Sequence, residues 1–526
     1  MQGPAAADSN LVQLNVVVTD KQGKPVAGLT KGNFELTVDG KAQQITQFTA
    51  EQASQPAGSA TALPPNVFSN HNNTSASSAG SVTVILLDAL NTYYEDPVAV
   101  REQLAEFLKQ VRRGDPVALY GLGNDLTVLH DFASDSSPLL LVLEAPASAA
   151  PAPASPETKK VPPVDSSPLG EFLDENKSTA RNHGTERRVM TANALTFIAT
   201  HLAGVPGCRN LIWLTGYVPF LNVVTTVPAM DPSRMPRALS DEDITVYPVF
   251  WPALLPEKAG ASPDDQPPFS PGTSLNVGAG GTNMDGSQGL DVVRVRTATD
   301  FSSFDHVADQ TGGDSERSSS DSKELVRHVV DGSVGSYTLG FNLGAAEKDE
   351  KPRRVHVKLR EASGHLRYAR DYLPPPQSAQ VAAGDQATFM QYAAWNPLDS
   401  AELDITVEAH RVDTPQRPGV STNIRVGSRG IHLTHEGDRW RGRVDVYGLE
   451  LSEHGKFVTG GYQTLTPDFN ATSLEEFLKS GLQIQFVVPM DPHAAAVRVI
   501  ARDTGSGAEG SVTIPLGKIS AEPAKN

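Results

Sequence analysis

At 526 residues the chain is too long for a single hydrophobic core, and its length implies about two to four domains. Its 44 Lys+Arg against 61 Asp+Glu leave a formal charge of −17, which argues against a nucleic-acid surface and against polybasic docking on anionic lipid. One cysteine, Cys208, permits no intrachain disulfide, and no apolar run approaches the roughly 20 residues that a membrane helix needs.

Met1 to Ala7 has neither the charged start nor the apolar centre of a signal peptide, and reads as a processed terminus or a cytosolic start. Alternation at Val12, Leu14, Val16 and Val18 predicts a strand with one buried face, and Phe34 to Val38 alternates again before an Asp39-Gly40 turn. Residues 52–80, rich in Ser, Ala, Pro and Asn, read as a linker.

From Ser81 to Asp88 a nearly continuous apolar run predicts a strand buried on both faces, the usual state in a parallel sheet covered by helices. Asp96-Pro97 opens a helix whose stripe is Val100, Leu104, Phe107, Leu108 and Val111. Strands follow at Val117–Leu122, Leu126–Leu129, Leu211–Leu214 and Ile244–Phe250, with a helix over about 186–202. Residues 145–184 and 252–291 read as long insertions, the first mostly without structure. Strands return from Ser336 to Tyr372, and beyond Pro374-Pro-Pro376 the chain is alternating strand with one helical candidate, Leu474–Leu478.

Strands alternating with helices mean a doubly wound sheet, and ligands of such sheets bind beyond the carboxyl ends of the strands. Asp88, Asn91 and Thr92 stand at that place. Tyr93 and Tyr94 follow directly, and read equally as partner anchors or as packing under the helix start. Gly216 to Phe220 is apolar for a loop, which marks Tyr217 and Phe220 as partner-binding candidates.

Four segments, Val84–Thr92, Val117–Gly123, Pro206–Gly216 and Val307–Gly313, give the central region a resemblance to von Willebrand factor A domains. The resemblance is to the variant family found in exported acidobacterial proteins, and Val17–Phe34 and Tyr337–Gly340 share it, over roughly residues 11–373. It implies a multidomain α/β plus all-β chain, with a von Willebrand A-like, mainly parallel sheet flanked by β-sandwich modules. Residues 11–52 and 335–375 would form one sandwich module, 81–334 the α/β domain, and 376–526 a second sandwich. It also implies a secreted or periplasmic setting and no catalytic residues.

Domains of that family hold a divalent cation with an Asp-x-Ser-x-Ser loop, a distant Thr and a second Asp. Asp88 matches the first Asp, Thr92 stands for the last Ser, and Thr191 for the distant Thr. Leu90 and Gly216 occupy positions where two oxygen donors are expected. Mg²⁺ asks for about six oxygens and Ca²⁺ for about six to eight, so the count favours a structural role for Asp88 over a metal. Asn91 or Asp125 as a substitute ligand is the alternative. The expected function is a non-enzymatic scaffold binding a protein or cell-envelope ligand. The rivals are a hydrolase or enzyme subunit with a carboxylate site in 252–291, and a purely structural envelope component.

Overall fold

The computed structural model describes residues 11–21, 24, 26–50, 63–70, 81–92, 94, 97–108, 116–132, 167–177, 179, 186–203, 205, 208–216, 218, 234–250, 303–315, 329, 336–342, 352–360, 363–372, 386–413, 418–453 and 455–520. In chain order the strands begin with β1 (Leu11–Thr19), β2 (Phe34–Val38), β3 (Lys41–Gln43), β4 (Ile45–Ala50) and β5 (Val67–Ser69). The α/β unit follows with β6 (Ser81–Asp88), α1 (Pro97–Leu108), β7 (Val117–Leu122), β8 (Leu126–His130), α2 (Pro168–Asn176), α3 (Glu186–Leu202), β9 (Cys208–Thr215), α4 (Arg234–Asp241), β10 (Ile244–Phe250) and a helix, α5, over 303–311.

The chain then returns through β11 (Ser336–Asn342), β12 (Arg353–Leu359), β13 (His365–Arg367) and β14 (Asp371–Tyr372). These pair with the amino-terminal strands. Strand β1 runs antiparallel to β11 from Leu11↔Asn342 to Val17↔Ser336, and β2 runs antiparallel to β12. Two four-stranded sheets, β13-β1-β11-β4 and β14-β12-β2-β3, result. Their inward residues, among them Val16, Val18, Leu36, Tyr337, Phe341 and Val357, share one core. Neither flank alone has the strands to cover a hydrophobic face, which is why the module closes only when the chain comes back.

In the central sheet the order is β10-β9-β6-β7-β8, with β10, β9, β6 and β7 parallel and β8 antiparallel to β7. Alternation sorts β6 between two layers, as the side-chain period of two requires. Val82, Val84 and Leu86 pack with α3, α4 and α5, whereas Ile85 and Leu87 pack with α1 and α2. The fold is therefore mixed α/β with antiparallel sheets on both sides.

The carboxyl-terminal part contains α6 (Gln386–Trp395), β15 (Ile405–Asp413), β16 (Pro418–Val426), β17 (Thr434–Glu436), β18 (Arg439–Arg441), β19 (Val444–Leu451), β20 (Phe457–Leu465), β21 (Asp468–Phe469), α7 (Ala471–Ser480), β22 (Leu482–Pro489), β23 (Ala496–Asp503) and β24 (Glu509–Pro515). Sheets β22-β16-β15-β5 and β20-β19-β23-β24 enclose its core, with a small third sheet, β17-β18-β21.

Three expectations need correction. The stretch read as a linker supplies β5, whose Val67 to Ser69 pair with Glu408 to Thr406, so the carboxyl-terminal sandwich is not confined to 376–526. Asn70 fixes this crossing by donating to Ser400 O and Leu403 O while accepting from Ile405 N. The stretch 145–184 carries α2, capped by Ser167 Oγ accepting from Gly170 N, with Leu169, Phe172 and Leu173 buried. Helix α6 was not expected. It carries Phe389 and Tyr392 between α3 and the sandwich, with ring centroids 5.1 Å apart for Phe197–Tyr392 and 4.7 Å for Phe389–Tyr447. The stretch 252–291 lies outside the described residues.

Candidate functional site at the carboxyl end of the sheet

Strand β6 is the point where the chain's direction across the sheet reverses, with β7 and β8 on one side and β9 and β10 on the other. The carboxyl ends of β6 and β9 therefore form the crevice in which doubly wound sheets take their ligands. Asp88 ends β6 and Thr215 ends β9.

Asp88 is 1 % exposed and is met by four donors. Its Oδ1 accepts from Asn91 N at 2.9 Å. Its Oδ2 accepts from Asn91 Nδ2 at 2.8 Å, Trp213 Nε1 at 2.9 Å and Thr215 Oγ1 at 2.9 Å. Three of the four donors converge on Oδ2 and one on Oδ1, so the carboxylate is held by hydrogen bonds at both oxygens. Burial pushes the carboxyl's pKa up more strongly than these hydrogen bonds pull it down.

Asn91 is the hinge of the network. Its amide nitrogen also donates to Thr191 Oγ1 at 2.8 Å, joining the β6 loop to α3. The amide nitrogen, rather than the oxygen, faces Asp88 because the carboxylate has only acceptors to offer. Asn91 Oδ1 is buried without a partner among the described residues. Thr92 Oγ1 accepts from Gly216 N at 2.8 Å, tying this loop to the end of β9. A Cβ on Gly216 would lie 3.2 Å from Thr92 Cγ2, so the glycine permits the close approach. Leu90 belongs to the core, and its N–H donates to Leu122 O at 2.9 Å.

Asp88, Asn91, Thr92 and Thr191 are thus brought together as their sequence positions suggested. Of the partner-binding candidates, Asn91 and Tyr94 are not on a surface, and for Tyr94 the packing alternative is the one observed. Asn91 is 1 % exposed and Tyr94 2 % exposed. The first is consumed by Asp88 and Thr191, and the second donates its hydroxyl to Leu173 O at 2.6 Å. Tyr93, Tyr217 and Phe220 lie outside the described residues, as does the loop invoked for a hydrolase site. Among the described residues no three His, Cys, Asp or Glu side chains are placed to share a metal ion. Cys208 opens β9, and its thiol donates to Ser336 Oγ at 3.1 Å.

Trp213 and Thr215 were missed as partners of Asp88. One signal was available: an indole N–H buried in a parallel strand must find an acceptor, and the neighbouring strand ends in Asp88. A second support was also missed. Asn176 at the end of α2 accepts from Asn124 N at 2.9 Å and donates to Phe172 O at 2.8 Å, bracing the β7–β8 turn.

No protein-family model matches the chain, and no curated protein matches it. Among solved structures it is similar to an aerotolerance-related membrane protein from Bacteroides fragilis NCTC 9343, at 14% identity and a TM-score of 0.24 over 48% of this chain and 98% of that one. It is also similar to a von Willebrand factor type A protein from Catenulispora acidiphila, at 10% identity and a TM-score of 0.21 over 74% and 80% of the two chains.

Proposed function

We propose that this chain is a non-enzymatic scaffold of a secreted or periplasmic protein, in which a von Willebrand A-like sheet presents a protein or cell-envelope ligand site and works without a divalent cation. The carrying observation is the engagement of the buried Asp88 carboxylate by four donors from three residues, three of the bonds on Oδ2. Mg²⁺ or Ca²⁺ at this crevice would have to compete with donors already on both Asp88 oxygens, three of them on Oδ2. The Asn91 amide bridges Asp88 and Thr191, the two residues that a cation would bridge. Burial of Asp88 at 1 % exposure argues against it as a base or nucleophile, which must lie within reach of substrate. The exported setting rests on the resemblance of Val17–Phe34 and Tyr337–Gly340 to exported relatives.

The test is calorimetric titration with Mg²⁺, Ca²⁺ and Mn²⁺, with a thermal melt repeated in chelator. No saturable heat and an unchanged melt are expected. Asn91→Asp replaces the bridging donor with a second carboxylate, and is expected to lower the melting temperature without metal and to recover it when metal is added. Micromolar metal binding by the native chain, abolished by Asp88→Ala, would overturn the metal-free reading.

A further inference from the structure

Strand β20 is nine residues long and forms one edge of the sheet β20-β19-β23-β24. Among the described residues it pairs with β19 alone, and the backbone groups along its other side make no hydrogen bond. The opposite edge of the same sheet is closed, with Ala401 bridged to Gly510 and Ser511 N donating to Ser400 O at 2.9 Å. An open edge is a template for a further strand, and proteins usually blunt it with Lys, Pro or a bulge. Apart from one irregularity next to Phe457, β20 has none of these. Thr459 to Leu465 pair with β19 in unbroken register, and Phe-Val-Thr-Gly-Gly-Tyr-Gln-Thr-Leu contains neither charge nor proline. No residue of β20 is buried, whereas all eight of β19 are, and Phe457 and Tyr462 are 39 % and 47 % exposed. Two neighbours are uncharged as well: α6, packed beside β19 and β20, and β22, the facing edge strand, whose Phe486 ring reaches Gly448 and Gly461. Three adjoining elements thus lack any charge in a chain of which 20 % is charged.

We propose that β20 is where two copies of this chain meet, pairing antiparallel across a twofold axis. Charge selects the occupant. Two copies that each carry −17 repel, so they approach at least cost through a strip without charge. A basic partner would instead be drawn to acidic surface. Sequence selects the geometry, because a strand that pairs with its own copy about a twofold axis does so antiparallel, with each contact made twice. Centred on Gly461, the pair sets Tyr462 of one copy opposite Gly460 of the other, and Thr459 opposite Gln463. An aromatic ring facing an edge glycine covers backbone that the glycine leaves bare. Gly460 has no room for a side chain of its own, since a Cβ there would lie 2.9 Å from Gly448 O. A single short strand pair buries less than the roughly 1,200 Å² of a standard stable interface, so the dimer is weak and reversible.

The dimer goes beyond the scaffold reading and does not depend on the Asp88 crevice. Sedimentation velocity on the full chain from about 5 to 300 µM is expected to show a monomer–dimer equilibrium. Hydrogen exchange should show amide protection over Thr459 to Leu465 rising with concentration. Added NaCl should strengthen the dimer by screening the repulsion between two acidic copies. Tyr462→Lys and Gln463→Lys each put like charges on the pairing edge, and each should weaken the dimer at least about tenfold. Tyr462→Phe should retain it, and the melting temperature of each variant reports whether it has folded. A monomer throughout the concentration range overturns the proposal, as does a dimer in which exchange along β20 is unchanged. Association that survives both lysines in folded protein, or that salt weakens, overturns it too. A monomeric chain that takes up an added extended peptide along β20 overturns it in favour of strand addition by another protein.

Discussion

Asp88→Ala would leave the Asn91 N–H, the Asn91 amide, the Trp213 indole and the Thr215 hydroxyl facing a hole in the core. An unpaired buried donor costs about 1–3 kcal/mol, and the freed groups relax in part, so a loss of ~2–4 kcal/mol is expected. Urea unfolding followed by far-UV circular dichroism checks it; a loss below ~1 kcal/mol would show that the network is incidental. His130 gives a pH dependence at the same scale. Burial lowers its pKa more than Asp131 and the hydrogen bond to the Val117 backbone raise it. The unfolded imidazole titrates near about 6.5, so its share of stability is complete above that value. That share is lost as pH falls from there through the folded value, because the unfolded chain takes up the proton first. Native protein should therefore lose stability between pH 7 and pH 5 more steeply than His130→Asn. Parallel melting curves for the two proteins across this window would refute the assignment.

Helix α2 shows how an element escapes a reading by composition. Ser167-Pro168 is a cap followed by proline at the first helical position, and Leu169, Phe172 and Leu173 recur at helical spacing. The pattern is present, but the Pro/Ala/Ser-rich residues before it mask a nine-residue helix. Its place depends on small residues in β7, since a Cβ on Gly121 would lie 2.6 Å from the Phe172 ring. Gly121→Ala is expected to destabilise by ~1–3 kcal/mol through overpacking, and to raise amide exchange in α2 before the rest of the sheet. Unchanged exchange in α2 would mean that the ring moves aside freely. Strand β5 escaped for another reason. Three residues carry no measurable period, and Val67-Phe-Ser69 becomes a strand only because β15 offers an open edge.

At the scale of the molecule, two modules share one apolar layer. The core of α3 and the parallel sheet continues through Phe389 and Tyr392 of α6 into Tyr447, Leu449 and Ile500 of the sandwich. Polar contacts cross the same boundary, with Ala401 N donating to Thr200 O at 2.8 Å and His201 Nδ1 lying 2.7 Å from Asp399 O. Helix α3 is accordingly buried almost all round, which hides the one-sided stripe expected of a surface helix. The α/β unit and the sandwich should unfold together, and Phe389→Ala, at a cost of ~3–5 kcal/mol, should split a single calorimetric transition into two. Two transitions in the native protein would show the modules to be independent.

Periodicity alone determined much of this architecture. Residues on β1 and β2 repeat every second position, β6 is a continuous apolar run, and those on α1 recur every third or fourth, because burial follows the geometry of each element. The position of Asp88 at a strand's carboxyl end was legible for the same reason, and so was the poverty of oxygen donors beside Leu90 and Gly216. Only the tertiary structure decided what occupies that crevice. Trp213 and Thr215 reach Asp88 across 125 and 127 residues of chain, and Asn91 meets Thr191 across 100. Hydrogen bonds over such distances leave no local pattern, since they exist only where separate strands and helices are packed into register.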